Sequence, residues 1–418
     1  MKKRCGLLGR KLGHSYSPMI HSYLGDYSYE LFEVEPEELE RFMTQADFDA
    51  INVTVPYKKA VLPYISALSE RAERIGSVNT VVKMPDGSLF GDNTDYDGFS
   101  YMLARGGIDV KGKKALVLGS GGSSLTVTTV LADLGARSVT VISRTGENNY
   151  ENIGKHADAE IIVNTTPVGM YPNNAQSPLS LEIFTRLEGV ADLIYNPQTT
   201  ELMFDAKARG VRCVGGLSML VAQAKAASER FTGKTVDDAL TEKIIGRIGE
   251  MTENIILVGM PGCGKSKIGK TIADILGREF VDTDDEIVKA RGASIPEIFA
   301  REGEEAFRAY EHEAICETCK RSGLVIATGG GAPTRENNIK AIKQNGRVVF
   351  LRRPIEELSR SGRPLSQGSD LYKMYEQREP CYLACADVCA DVLATPDESA
   401  NAVLSMLGYG KDDRKKER

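Results

Sequence analysis

The residues able to do chemistry fall into separate clusters along the chain. One is Gly259-Met260-Pro261-Gly262-Cys263-Gly264-Lys265-Ser266, which fits the phosphate-loop pattern G-x-x-x-x-G-K-[ST]. In such a loop the glycines let backbone N–H groups close around phosphate oxygens. Lys265 reaches the outer phosphates and Ser266 can ligate Mg²⁺. Downstream, Asp282 and Asp284 are two residues apart, which on a strand puts both carboxylates on one face. The alternative for this pair is the capped N-terminus of a helix. Near the other end of the chain, Gly13-His14-Ser15-Tyr16-Ser17-Pro18 sets two hydroxyls before a helix start. They could hold an anion together, or one could cap the helix and the other do nothing. Asn52-Val53-Thr54-Val55-Pro56-Tyr57-Lys58 carries polar groups off the carboxyl end of an apolar strand, where open α/β sheets place ligands. Gly91-Asp92-Asn93-Thr94-Asp95-Tyr96-Asp97-Gly98 is oxygen-rich enough to suggest calcium. It lacks the central Gly and terminal Glu of an EF-hand loop, and reads instead as a turn offering one functional Asp.

The elements that must position these groups are legible around them. Ile255-Ile256-Leu257-Val258 is a short apolar run fit for a buried parallel strand, and Ile268, Ile272, Ile275 and Leu276 recur at helical spacing after the loop. A strand-loop-helix context separates the phosphate loop from a chance Gly-rich turn. In the first 98 residues strands are expected over Arg4–Leu8, Tyr29–Val34 and Ala50–Val53. Helices are expected over Pro18–Leu24 and Pro36–Gln45, and a hairpin turning at Asp86-Gly87 over Val81–Asp92. From Ala115 the pattern becomes a dinucleotide-binding unit: a strand to Leu118, the loop Gly119-Ser120-Gly121-Gly122-Ser123-Ser124, a helix to Leu134 and a strand over Ser138–Ile142. Ser124 stands where the third glycine usually does. That second strand ends in Ser143-Arg144-Thr145 with no acid to take a ribose hydroxyl, and an Arg there suits a 2′-phosphate, so NADP is favoured over NAD.

With 418 residues the chain is long enough for more than one domain, and 42% hydrophobic with 26% charged residues is the balance of a water-soluble globular protein. No apolar run approaches a membrane span, and the start of the chain does not read as a signal peptide, so a cytoplasmic protein without membrane partners is expected. A net charge of −6 argues against nucleic acid as a partner. Of the eight cysteines, Cys316 and Cys319 lie near His312, and Cys381, Cys385 and Cys389 are spaced by four. With no second pair at zinc-ribbon spacing, they read as small reduced side chains rather than a metal site. A homodimer is left open.

The motifs GHSYSP, NVTVPYK, SVNT, GDNTD, GSGGSS, NTTPVGM, DLIYNP and GLSMLVAQA occur in that order, and residues 1 to about 245 resemble shikimate dehydrogenase. The resemblance implies that Ser15 and Ser17 hold the shikimate carboxylate, that Thr54, Asn79, Tyr195 and Gln223 contact the substrate, and that Lys58 and Asp95 are the catalytic pair. Gly119, Ser120, Gly121, Gly122, Ser123, Ser143, Arg144, Leu193 and Gly216 would then serve NADP(H). One departure stands out: only residues 145–163 separate Arg144 from Asn164, where the family usually fits a further helix and strand. Residues 251 to about 410 resemble shikimate kinase. By that resemblance Gly262, Cys263, Gly264, Lys265, Ser266, Lys267 and Arg363 serve ATP, and Ser266 with Asp282, through water, serves Mg²⁺. Asp284 meets the ring hydroxyls and acts as base. Arg308 and Arg378 clamp the carboxylate, and Gly330, in Thr328-Gly329-Gly330-Gly331, lets the ring approach. Arg360-Ser361-Gly362-Arg363-Pro364-Leu365 matches the lid, with Arg360 near the adenine.

The expected fold is therefore α/β throughout: an N-terminal α/β substrate domain (1–98 with 215–245), a shortened Rossmann-like NADP domain (99–214), a P-loop kinase domain with a parallel sheet (251–410) and a charged tail (411–418). The resemblances imply an enzyme of two steps, NADPH-dependent reduction of 3-dehydroshikimate to shikimate and its phosphorylation by Mg-ATP. A kinase joined to a dehydrogenase-like sensor, or a dehydrogenase acting on quinate, are the alternatives.

Overall fold

The computed structural model describes residues 2–13, 15–358 and 371–410. The chain divides between Ile248 and Gly249 into two compact units.

The first unit holds two sheets. In the first, β1 (Arg4–Gly9), β2 (Ser28–Glu33), β3 (Ala50–Val53), β4 (Ala67–Leu68), β5 (Thr80–Lys83) and β6 (Leu89–Asp92) lie in the order β2-β1-β3-β5-β6-β4. β1 runs parallel to β2 and β3, while β3–β5 and β5–β6 are antiparallel, with Asn52 opposite Thr80 and Thr80 opposite Asp92. That register brings the ends of β3 and β6 and the start of β5 to one edge, the edge where β1 also ends. The expected hairpin is present, its turn carried by Gly87 at φ 86°. The expected helix at Pro36 begins as a 3-10 turn, Pro36–Glu38, before Leu39–Gln45.

The second sheet is all parallel: β7 (Lys114–Leu118), β8 (Ser138–Ile142), β9 (Ile161–Asn164), β10 (Gly189–Asp192) and β11 (Arg212–Gly215), in the order β11-β10-β9-β7-β8. Ala115 to Leu118 and Ile161 to Val163 are wholly buried, as strands covered on both faces must be. The strand order reverses between β7 and β9, so the crevice at Gly119 is the place for a ligand. The short β8-to-β9 connection is a 3-10 turn, Tyr150–His156, in place of an α-helix. The helix Asp95–Arg105 packs on the helix Leu217–Thr232 through Gly98, where a Cβ would stand 2.7 Å from the Met219 carbonyl oxygen.

The second unit is built on β12 (Asn254–Val258), β13 (Phe280–Asp282), β14 (Val325–Ala327), β15 (Gly346–Arg352) and β16 (Val388–Asp391), all parallel in the order β13-β14-β12-β15-β16. β12 is central, and Ile255 to Val258 are fully buried. The chain leaves β12 to opposite sides, which again opens a crevice at its carboxyl end. Among the described residues no helix is long and apolar enough to cross a membrane.

Candidate functional site

Each unit has a cavity at the carboxyl ends of its strands. In the first unit it measures about 500 Å³ and is walled by Ser15, Ser17, Thr54, Lys58, Asn79, Asp95, Ser123, Leu193, Tyr195, Gly216 and Gln223 among others. Residues remote in sequence thus meet, because the edge of one sheet faces the turns of the other.

Lys58 and Asp95 form the polar centre of this wall. The Lys58 ammonium donates to Asp95 Oδ2 at 2.5 Å, and Asn79 Nδ2 donates to Asp95 Oδ1 at 2.9 Å. Asn79 is itself fixed, its Oδ1 accepting from the Thr94 backbone N–H at 2.7 Å and from the Thr80 hydroxyl at 3.0 Å. Both carboxylate oxygens of Asp95 are therefore aimed before any ligand arrives. Elsewhere in the wall Ser15 Oγ accepts from the Ser17 backbone N–H at 3.2 Å, and Tyr16, the N-cap of the helix Ser17–Leu24, makes no side-chain cap bond. Ser15 thus holds the first N–H of that helix.

Asn52, which the motif contains but the sequence reading did not single out, also lines the cavity. It accepts from the Tyr29 hydroxyl at 2.8 Å, and Tyr29 stacks on the buried ring of His21 at 3.9 Å between centroids. Strand alternation pairs Asn52 with Thr54 on one face, the signal that could have found it.

Gly119, Ser120, Gly121 and Gly122 lie outside the cavity wall, on the turn from β7 into the helix Gly122–Asp133. Gly119, at φ 102°, donates its N–H to the Ile142 carbonyl at 2.8 Å, which brings the turn beside Ser143 and Arg144 at the end of β8. Nothing lies within 4 Å of where a Cβ would stand on Gly121 or Gly122, so this bare helix N-terminus is open to an anionic group. Gly216 packs against the Leu193 carbonyl so closely that any Cβ would overlap it, which joins two of the expected cofactor residues.

The second cavity measures about 590 Å³. Gly262, Gly264, Lys265, Ser266 and Lys267 line it, with Gly262 at φ 86° and Gly264 at φ 111°. The thiol of Cys263 is buried beneath the loop, which leaves its backbone as the part available to a nucleotide. Lys265 Nζ is parked on the carbonyls of Gly259 at 2.9 Å and Met260 at 3.1 Å. Ser266 Oγ donates to Asp282 Oδ2 at 2.6 Å, two oxygen donors of the kind a hard divalent cation takes.

The expectation that Asp282 and Asp284 share a strand face is corrected here. β13 ends at Asp282, which is the N-cap of the helix Thr283–Arg291 and accepts from the Asp284 N–H at 3.1 Å. The Asp282 cap satisfies one of the free N–H groups at the start of that helix, and Asp284 lies in its first turn. There it meets Glu311: Asp284 Oδ1 and Glu311 Oε1 are buried without a hydrogen-bond partner, and both lie within 3 Å of where a Cβ on Gly329 would stand. Burial, with Asp282 and Glu311 adding like charge, pushes the Asp284 carboxyl up to about 7. Burial also raises Glu311, against the pull of Arg308.

Arg308 donates to Glu311 at 2.9 Å and to Glu304 at 3.1 Å, and would overlap any side chain at Gly331. Gly330 and Arg378 line the same cavity, and the Gly330 carbonyl accepts from the buried Tyr382 hydroxyl at 2.5 Å. Glu311 and Tyr382 were not singled out from the sequence. Their spacing of three from Arg308 and four from Arg378 on helices was the available signal. Arg360 and Arg363, with the expected lid, lie outside the described residues, as does the tail 411–418.

Comparison with known proteins gives a match for each unit. A family model for the shikimate dehydrogenase substrate-binding domain matches residues 7–81, and one for shikimate kinase matches residues 261–408. The NADP(+)-type shikimate dehydrogenase of Clostridium beijerinckii is 36% identical over 257 residues, 57% of this chain and 94% of that protein. A chorismate mutase/shikimate 5-dehydrogenase fusion protein from Clostridium acetobutylicum superposes with a TM-score of 0.57 at 34% identity, covering 60% of this chain and 98% of that one. The shikimate 5-dehydrogenase of Thermus thermophilus, solved with NADP(H) and shikimate, superposes with a TM-score of 0.54 at 34% identity, over 59% of this chain and 99% of that one.

Proposed function

We propose a division of labour from a definite premise: the chain belongs to the shikimate dehydrogenase family through its N-terminal portion, carries a shikimate kinase domain behind it, and is a bifunctional shikimate-pathway enzyme. The first unit reduces 3-dehydroshikimate to shikimate, and the second phosphorylates the hydroxyl so made, in the cytoplasm.

In the first unit NADPH, when bound along Gly119–Ser123, Ser143, Arg144, Leu193 and Gly216, supplies the hydride. Ser15 and Ser17 hold the carboxylate of the substrate, while Thr54, Asn79, Tyr195 and Gln223 orient its ring. As negative charge gathers on the ketone oxygen, the Lys58 ammonium stabilises it and hands over a proton. Asp95 keeps that ammonium aimed and holds a neighbouring ring hydroxyl.

In the second unit ATP with Mg²⁺, when bound, supplies the phosphoryl group, held by Lys265, Ser266, the bare loop and Asp282. Arg363 is proposed to join from the lid. Arg308 and Arg378 clamp the carboxylate as guanidinium forks, Gly330 admits the ring, and Asp284 takes the proton of the attacking hydroxyl.

The observation that carries this reading is the Lys58–Asp95 pair set into a cavity walled also by Ser15 and Ser17, in the same chain as a phosphate loop facing a raised Asp284. The test is loss of NADPH absorbance on adding 3-dehydroshikimate to the full chain, beside ADP release from shikimate and Mg-ATP. Both should run. ADP release with NADPH unconsumed would return the first unit to the role of a substrate sensor, and faster oxidation of quinate than of shikimate would change its substrate.

A further inference from the structure

The charge balance of the first cavity singles out a residue that none of the family motifs contains. Two lysines line that cavity, Lys58 and Lys11. Lys58 is already neutralised by Asp95 at 2.5 Å. Lys11 is exposed and has no hydrogen-bond or ion-pair partner among the described residues, although acids are close on both sides of it in the chain fold. Arg10 pairs with Glu35 at 2.8 Å, and the Leu12 N–H donates to Glu33 at 2.6 Å. Glu35 is thus neutralised by Arg10 and Glu33 is tied to the backbone of Leu12, which pins the loop after β1, and neither acid forms an ion pair with the Lys11 ammonium. The same loop continues directly into Gly13, Ser15 and Ser17, and Ser15 N–H closes on the Leu12 carbonyl at 3.0 Å. The serine hydroxyls are neutral donors, so they bond a carboxylate without balancing its charge.

We infer that Lys11 is the counter-ion for the carboxylate of the substrate in the first unit, drawing the anion into the cavity and setting its preference for acids over neutral analogues. The inference rests on the dehydrogenase reading of this site. Lys11 takes no part in the transfer of hydride or proton, so its loss should act on binding and not on turnover.

The test uses the full chain with Lys11→Gln and Lys11→Arg, following NADPH formation from shikimate and NADP, a signal only the first unit produces. Lys11→Gln should raise the KM for shikimate about tenfold with a far smaller change in kcat, and should flatten the fall of kcat/KM with added salt. Lys11→Arg should restore most of the affinity. On the methyl ester of shikimate, which has no carboxylate charge, the native chain and Lys11→Gln should be equal. ADP formation by the second unit, unchanged in both variants, reports that the chain is folded. A native chain that forms no NADPH from shikimate overturns the reading of the site and this assignment with it. A native chain that does, with Lys11→Gln matching it on shikimate or differing equally on the ester, overturns the assignment alone.

Discussion

The two units are proposed to handle the same small acid, and they are prepared for it by opposite electrostatics. In the first, the proposed reacting groups are a lysine and an aspartate 2.5 Å apart, partly open to water, with both carboxylate oxygens already bonded. In the second, the half-buried Asp284 and the buried Glu311 turn a carboxyl oxygen each toward one point, and both of those oxygens lack a partner. A matched pair is at rest before the substrate arrives. Two crowded acids are not, and the discomfort is stored in the fold until a ligand supplies donors. The proposed grips on the carboxylate differ in the same sense: neutral serine hydroxyls in one unit, and in the other Arg308, itself braced by Glu311 and Glu304.

The comparison breaks most visibly if the two sites are not independent. Lys58→Ala should lower NADPH consumption by roughly 10³-fold and leave ADP release intact, and Asp284→Asn should do the reverse by a similar factor. Either variant disabling both reactions would refute the separation. The grips differ next. Arg308→Lys loses the planar fork and should raise the kinase KM for shikimate about thirtyfold, whereas Ser17→Ala should cost the dehydrogenase KM only about fivefold. Equal effects would mean that the hydroxyls do more than donate. A pH series sharpens the contrast further. With its carboxyl raised to about 7, Asp284 must lose its proton to act as base, so kinase kcat/KM for shikimate should climb about tenfold per pH unit below 7 and level off above it. A profile flat from pH 5 to about 8 would rule out the crowded pair. The smallest effect is on stability. A carboxyl raised in the folded state costs nothing below about 4 and most above about 7. Asp284→Asn should therefore raise the melting temperature of the ligand-free second unit by a few degrees at neutral pH and hardly at all near pH 4. A gain that grows toward acid would have the wrong sign.

How far these sites were legible follows from what each residue needs from its neighbours. The phosphate loop and β12 could be read because strand, glycines and lysine are contiguous and each is demanded by backbone geometry. Most of the β-strands of the first unit were likewise visible as apolar runs bounded by turns. Asp284 was read as a pocket residue but on the wrong element, because two-residue spacing fits a strand face and a capped helix equally well. Only the place where β13 stops pairing with β14 decides between them. Glu311 was missed because an acid three residues after an arginine on a helix usually signifies a solvated pair, and its burial beneath Gly329 comes from the turn after β14, outside its own helix. Asn52 was hidden in its own motif for a similar reason: its partner Tyr29 lies on the other side of β1.

The crowded Asp284 carboxyl also bears on the surrounding medium. On the proposed mechanism, a proton taken from the attacking hydroxyl must pass from Asp284 to water before the next turnover, while Lys58 must draw a proton from water after each reduction. The second unit therefore acidifies its surroundings and the first makes them more alkaline. When both run at equal flux, the release offsets the uptake, and the chain converts ketone to phosphate ester leaving the acidity of an unbuffered solution where it began.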